Sequence, residues 1–325
     1  MTDHDTPTPG ASTSASTSHD HDADHGSVFD GLLGGDDSQW AFGTDFEDPL
    51  AGVDTTIPDG VDAAALASYC LMLGDDALVA SHRLSQWASN APDLEDDIAL
   101  ANVALDLLGQ ARLLLTRAAA ADARLVPRLP EGSPVPPEDA LAFFRDESAF
   151  RNVRLVEAEN GDFAETVARL LVFSTYRLAL LQRLAGSRDG VLSAIAVKGV
   201  KEVTYHRDYA GRWFLTLARG TAESRRRLVA GLDRVWPLRA ELFRTHAVER
   251  TVAEQGVGVD PADVADEVDV LLEQVLSVSG IDRPEVPPTG TVGGGAGRDG
   301  RHTEAMGRLL AEMQVVARAH PSGRW

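Results

Sequence analysis

Apolar residues recur at helical spacing along most of the chain from residue 61 onward. This spacing predicts two long helices, over 61–88 and 93–120, with Asp93 as the N-cap of the second. The Ser-Asn-Ala-Pro break at 89–92 predicts a short connection between them. The second helix is apolar on almost every face, so we expect it to be buried in a bundle. Two long helices joined in this way form an antiparallel hairpin.

The same spacing predicts a second hairpin, with helices over 162–185 and 191–218. A proline-rich crossover at 127–137 and a short helix over 138–156 precede it. Further helices are predicted over 222–255, 261–278 and 302–318. No stretch alternates with the two-residue period of a β-strand. Two long hairpins joined by a crossover predict an all-α, ferritin-like bundle of long antiparallel helices with extra C-terminal helices.

Composition divides the chain into four regions. Residues 1–60 contain no Lys or Arg and few large apolar side chains, which predicts a disordered acidic extension. Its histidines either bind metal or belong to a solvated tail; they are His4, His19, His21 and His25. The regions that follow are a ferritin-like helical domain at 61–280, a Pro/Gly linker at 281–300, and a C-terminal helix and tail at 301–325.

Charge and cysteine content narrow the function classes. A formal net charge of −20 argues against nucleic-acid binding, because phosphate contacts need a basic surface. No apolar run reaches the roughly 18 residues of a membrane span, and the first residues do not resemble a secretion signal. The lone Cys70 lies in an apolar stretch and is expected to be a buried thiol. These features favour a cytoplasmic protein with neither nucleic acid nor membrane as a partner.

A ferritin-like fold raises the question of a di-iron centre. Such a centre takes one Glu from each of two helices and a Glu-x-x-His pair from each of the other two. A turn near residue 90 would place Asp75 on the first helix level with Asp106 on the second. However, Gly109 stands at the i+3 position from Asp106 and offers no imidazole. The first hairpin therefore carries at most two of its three ligands.

The second hairpin departs further from the ligand pattern. A turn near residue 188 would place Glu202 level with residue 174, and no acid lies between Glu165 and Asp189. Tyr205 stands at i+3 from Glu202, and His206 comes one residue late, about 100° further round the helix. We therefore expect no metal, cofactor or catalytic residue on this chain. The residues that mark the degenerate site are Asp75, Asp106, Gly109, Glu202, Tyr205 and His206.

Three interpretations remain open for the polar residues of α-helical spacing in the bundle. Asn102, Asp106 and Gln110 recur every four positions and predict an edge facing solvent or a subunit, a buried network, or a substrate-binding surface. The network would include Asp75, His82, Glu202 and Tyr205, with Lys198 supplying a positive charge.

Two functional alternatives to a non-catalytic protein also remain open. One is a metal-dependent oxygenase whose ligands would be Asp75, Asp76, Asp106, Glu202 and His206. The other is a storage or binding module of ferritin type.

Several motifs resemble those of the C subunits of phenylacetyl-CoA epoxidases (PaaC). They include Leu73-Gly-Asp-Asp-Ala-Leu78, Leu105-Asp-Leu-Leu-Gly-Gln-Ala-Arg112 and Lys201-Glu-Val-Thr-Tyr-His206. The resemblance runs from about residue 61 to the C-terminus and leaves the acidic extension outside it. These motifs are longer and more specific than a generic helical pattern.

The resemblance implies a function. It implies a non-catalytic, ferritin-like structural subunit that pairs with a homologous catalytic A subunit, on which the di-iron centre is expected. With a reductase and small accessory subunits, such a complex epoxidises the aromatic ring of phenylacetyl-CoA in aerobic phenylacetate catabolism. Oxygen and electrons from NADPH are the implied co-reactants.

Overall fold

The computed structural model describes residues 50 and 52–323. The four histidines of the acidic extension lie outside the described residues, and so do most of the residues that were predicted to be disordered. Residues 52–60 have defined positions against the bundle: Arg117 donates to the carbonyl of Thr55 at 2.7 Å. Val53 and Ile57 pack on the core. The end of the extension is therefore ordered, in contrast to the expectation from its composition.

Four long helices form the bundle, and each begins at an aspartate. They are α1 (Ala63–Ser85), α2 (Leu94–Ala121), α5 (Phe163–Leu184) and α6 (Gly190–Arg219). Asp62, Asp93, Asp162 and Asp189 are the N-caps, and each side chain accepts at least one backbone N–H of the first turn. Residues 50 and 52–323 contain ten helices and no β-strand, so the predicted all-α, ferritin-like architecture is confirmed.

Six shorter helices pack around the bundle. They are α3 (Pro137–Phe143), α4 (Arg154–Glu157), α7 (Ala222–Arg239), α8 (Ala247–Glu254), α9 (Ala265–Ser279) and α10 (Glu304–Ala319). The segment 281–300 contains no helix until the 3₁₀ turn Gly297–Asp299. The end of that segment is nevertheless part of the core, because Ala296, Gly297 and Arg298 are buried.

The single helix predicted over 138–156 is wrong, because α1 engages the backbone of this region. Asp75 accepts the N–H of Arg151 at 2.8 Å, and Asp76 accepts the N–H of Val153 at 2.8 Å. A continuous helix would need both N–H groups for its own hydrogen bonds. The chain therefore leaves α3 at Phe143, forms a 3₁₀ turn at Glu147–Ala149 and contains no helix from there to α4.

The predicted helix over 222–255 is also divided. After α7 the chain forms a 3₁₀ turn at Ala240–Phe243, and a new helix begins at Ala247. His246 starts it: its ring Nδ1 accepts the N–H of Val248, while Glu249 accepts the N–H of His246. This reciprocal cap gives α8 its own N-terminus.

The register of the first hairpin differs from the predicted one. The hydroxyl of Ser81 donates to the carbonyl of Ala104 at 2.7 Å, and Gly74 packs against Leu114 and Leu115. A Cβ at Gly74 would lie 3.1 Å from Leu115, so glycine permits this close approach. Asp75 is therefore not level with Asp106. The connection spans residues 86–93 and is longer than the predicted break.

Among the residues that the structure describes, two helices are long and apolar enough to cross a membrane by length and composition alone. In α1, 83% of the apolar window is buried inside the protein, as in the core helix of a soluble protein. In α2 the corresponding share is 44%. The expectation that α2 is buried all round is therefore wrong, because one of its apolar faces is exposed.

Candidate functional site at the bundle centre

Polar side chains connect α2 to α6 along most of their length. From pair to pair, the residue number rises along α2 and falls along α6, so these two helices are antiparallel. The connected pairs are Asp96 with Tyr209 and Trp213, Asp106 with His206, Gln110 with Glu202, and Arg117 with Asp189. We call this set the α2–α6 ladder. It brings together three of the six residues that the sequence marked as remains of a metal site.

The pair at the centre of the ladder is Gln110 and Glu202. The amide nitrogen Nε2 of Gln110 donates to the Glu202 carboxylate at 2.8 Å. Lys198, one turn earlier on α6, forms an ion pair with the other oxygen of that carboxylate. The prediction that Lys198 supplies charge to Glu202 is therefore confirmed. Both carboxylate oxygens are occupied by donors from the protein.

Arg177 of α5 completes the central cluster from inside the bundle. Its Nε donates to Oε1 of Gln110 at 2.9 Å, and its Nη1 lies 3.4 Å from the carbonyl of Leu73. The side chain is fully buried, and its Nη2 has no hydrogen-bond partner. Burial lowers the pKa of Arg177, and the charges of Asp76 and Glu202 oppose that shift. A guanidinium group thus lies on the inner side of the cluster.

The next pair of the ladder is Asp106 and His206. Oδ2 of Asp106 lies 3.0 Å from Nε2 of His206, whose ring is buried while the carboxylate is one-third exposed. Tyr205 instead stacks on Tyr209 with ring centroids 6.5 Å apart. A Cβ at Gly109 would meet no atom within 4 Å, so this glycine borders open space. Asp106 and His206 therefore contact each other, whereas Gly109 and Tyr205 take no part in this pair.

Asp96 occupies the ladder's end near the start of α2. Its Oδ1 accepts from the hydroxyl of Tyr209 at 2.8 Å and from the indole of Trp213 at 2.7 Å. Its Oδ2 is buried without a partner. Burial raises the pKa of Asp96, and the two donors oppose the rise. This carboxylate anchors aromatic side chains of α6.

The remaining acids of the predicted site lie elsewhere. Asp75 is buried and bound by the guanidinium of Arg145, with Nη1 at 2.9 Å from Oδ2. Asp76 is bound by Arg298, with Nη2 at 2.7 Å from Oδ2. His82 joins neither set; burial lowers its pKa, and the charge of Glu312 opposes that shift. The ligand set of the rival oxygenase hypothesis is therefore divided between two places.

The donors of this cluster do not fit a di-iron centre. Such a centre needs four carboxylates and two imidazoles around one cavity. Within residues 50 and 52–323, no three His, Cys, Asp or Glu side chains are grouped so that they could hold a metal ion. The cluster instead includes the buried cation Arg177, which would repel a metal ion.

Arg177 was not predicted from the sequence, because the predicted register between α5 and α6 was wrong. Gly199 packs on Leu181, so Glu202 is level with about residue 177 or 178 rather than 174. The available signal was a single arginine within the otherwise uncharged run 170–182 of α5. A buried charge in such a run needs a polar partner. That requirement could have pointed to Gln110 on the neighbouring helix.

Fold and cluster together define a ferritin-like helical protein whose bundle centre is filled by hydrogen-bonded polar side chains. The chain belongs to the family of phenylacetic acid catabolic proteins, whose family model matches residues 53–325. It is similar to the C subunit of 1,2-phenylacetyl-CoA epoxidase from Escherichia coli (strain K12). The two are 39% identical over 262 residues, which cover 80% of this chain and 99% of that relative. The predicted resemblance is confirmed.

Proposed function

We propose that this chain is a non-catalytic structural subunit of a phenylacetyl-CoA epoxidase in aerobic phenylacetate catabolism. Similarity over almost the whole length of an epoxidase C subunit supports the assignment to such a complex. The buried Cys70 fits a reducing compartment, so we place the complex in the cytoplasm. Catalysis would then belong to a homologous A subunit that carries the di-iron centre, with electrons delivered by a reductase.

The observation that carries the non-catalytic assignment is the position of Arg177. Its guanidinium and the amide of Gln110 lie beside Glu202, where an active bundle would need metal-binding groups. Glu202 is in turn neutralised by Lys198. A metal ion bound to Glu202 would have to displace Lys198 and would lie close to the buried guanidinium of Arg177, whose positive charge would repel it. The cluster therefore suits a closed structural core better than a metal centre.

Metal content of separately purified chains tests the proposal. We expect little iron in this chain alone, and about two irons per A subunit, the content of a di-iron centre, in the co-expressed complex. Glu202→Gln and His206→Gln in this chain should leave the iron content of that complex unchanged. Asp122→Asn, at a carboxylate outside the α2–α6 ladder that pairs with the exposed Arg124, is the matched control.

The opposite result would favour the oxygenase hypothesis. That result is about two irons in the isolated chain, with oxygen consumption that Glu202→Gln abolishes while Asp122→Asn does not. Failure of this chain to associate with an A subunit during co-expression would contradict the structural-subunit proposal as well.

A further inference from the structure

The outer face of α2 carries a row of exposed apolar side chains. Leu94 is 69% exposed, Ile98 and Leu105 are each 52% exposed, and Leu108 is 44% exposed. Ala101 is exposed between them. We call these five residues the α2 stripe. An exposed contiguous apolar face of this kind marks a surface that another molecule covers.

The spacing of the α2 stripe identifies the kind of molecule. Its members follow one another at intervals of four, three, four and three residues. This is the 3.5-residue average of a coiled-coil seam, which is complementary to another α-helix. By contrast, the exposed Val315 and Val316 of α10 are adjacent in sequence and do not form such a row.

Charges at the two ends of the stripe indicate the direction of the partner helix. The beginning of α2 is acidic, with Asp93, Glu95 and Asp97, whereas Arg112 continues the seam one turn after Leu108. A helix of similar pattern laid antiparallel would bring its basic end over the acidic end of α2. Such pairing of opposite charges at the flanks selects orientation in helix pairs. Acidic flanks also disfavour an anionic membrane surface.

Net charge favours a different chain over a second copy. This chain carries a formal charge of −20, so two copies repel each other. A homologous subunit has a corresponding helix in the same bundle position and need not carry the same charge. Its helix can therefore present the same apolar spacing without the repulsion expected between two copies of this acidic chain.

We propose that the α2 stripe is the docking surface for an antiparallel helix of the homologous catalytic subunit, an inference that rests on the proposed function. A stable interface buries about 800 Å² on each partner, more than a single stripe supplies. Surface residues beside the stripe must therefore contribute to the interface as well. The stripe forms the apolar centre of this interface.

The test uses the full chain co-expressed with a tagged A subunit. In Leu105→Glu a charge replaces an already exposed leucine at the middle of the stripe, so the fold should be preserved. Val315→Glu, at a 60% exposed position on α10, is the control. We expect Leu105→Glu to weaken the complex at least about tenfold, as for the central residue of an interface, and Val315→Glu to leave it unchanged. Circular dichroism checks that both variants are folded.

Each outcome distinguishes the two proposals. If wild type and Leu105→Glu bind the A subunit equally, the docking surface is wrong and the structural-subunit proposal stands. If wild type does not bind the A subunit, both fail. A wild-type chain that forms dimers through Leu105 despite an available A subunit, or that binds anionic vesicles instead, would also overturn the choice of partner.

Discussion

Two sets of acidic residues in this bundle have opposite surroundings. Asp75 and Asp76 of α1 are fully buried, and each is bound by a buried arginine from a distant segment. The carboxylates of Asp106 and Glu202 in the α2–α6 ladder are partly exposed. The first set attaches loops to the bundle, whereas the second connects neighbouring helices.

The comparison shows why acidity alone is a poor guide to metal ligands in such a fold. A carboxylate bound by a guanidinium and a backbone N–H has used its acceptor capacity for structure. Asp76 is in this state, since Arg298 and the N–H of Val153 bind it. We expect buried acids with distant partners, such as Asp76 and Glu157, to contribute more to stability than the contacts of the α2–α6 ladder. Substitutions at Asp76, at His302, the partner of Glu157, and at Arg177, which contacts the ladder, test that difference.

The largest effect is expected at Asp76. Asp76→Asn leaves Arg298 buried without its main counter-charge, and breaking a buried pair from one side costs about 3–5 kcal/mol of unfolding free energy. Equilibrium urea unfolding followed by circular dichroism measures it. The double variant Asp76→Asn/Arg298→Met should recover part of the loss. A single variant as stable as Asp122→Asn would contradict the role assigned to this pair.

A smaller effect with a defined pH dependence is expected at His302. Its Nδ1 lies 2.7 Å from the Glu157 carboxylate and its Nε2 lies 3.2 Å from the carbonyl of Phe150. Because both ring nitrogens face acceptors, both donate and the ring is charged. Burial alone would lower the pKa of His302, but the hydrogen bond and charge of Glu157 together with the Phe150 carbonyl raise it above its usual value.

The sign of this pH dependence follows from the raised pKa. The stabilisation is complete below about pH 6.5, the unfolded value, and is lost as pH rises through the folded pKa. His302→Gln should cost about 1.5–3 kcal/mol at low pH, the range for hydrogen bonds to a charged group. The gap between wild type and variant should narrow towards pH 9. A gap independent of pH would show that the ring is neutral.

The smallest effect is expected at Arg177, although it lies at the bundle centre. Its Nη2 has no partner, and Glu202 keeps both Gln110 and Lys198 without it. Arg177→Met removes an incompletely paired buried charge, which is favourable, but it leaves Oε1 of Gln110 without its donor, which is unfavourable. Because the two effects oppose each other, the unfolding free energy should change by no more than about 1 kcal/mol, the net worth of one typical hydrogen bond. A loss of unfolding free energy as large as that of Asp76→Asn would instead show that Arg177 contributes as much to stability as the Asp76–Arg298 pair.

Much of the fold was predictable because its signals are local. The long helices follow from apolar spacing, and Asp93 was recognisable as an N-cap. Lys198 and Glu202 pair within one helix turn, so their contact could be inferred from spacing alone. The resemblance to epoxidase C subunits also depended on contiguous motifs.

The partners of the buried acids were not predictable in the same way. Arg145 lies 70 residues after Asp75, and Arg177 lies 67 residues after Gln110. Such pairs depend on the register between helices. An error of one turn in the length of a connection changes which residues lie opposite each other along the whole hairpin. The first hairpin shows this, since its connection proved longer than the break in the apolar pattern.

The pairing of Asp76 with Arg298 also sets a condition on the order of biosynthesis. These residues are 222 positions apart, so most of the bundle leaves the ribosome before the cation for Asp76 has been translated. Until then, α1 carries a carboxylate that is costly to desolvate. Closure of the nascent bundle around α1 is therefore favourable only once residue 298 has been translated.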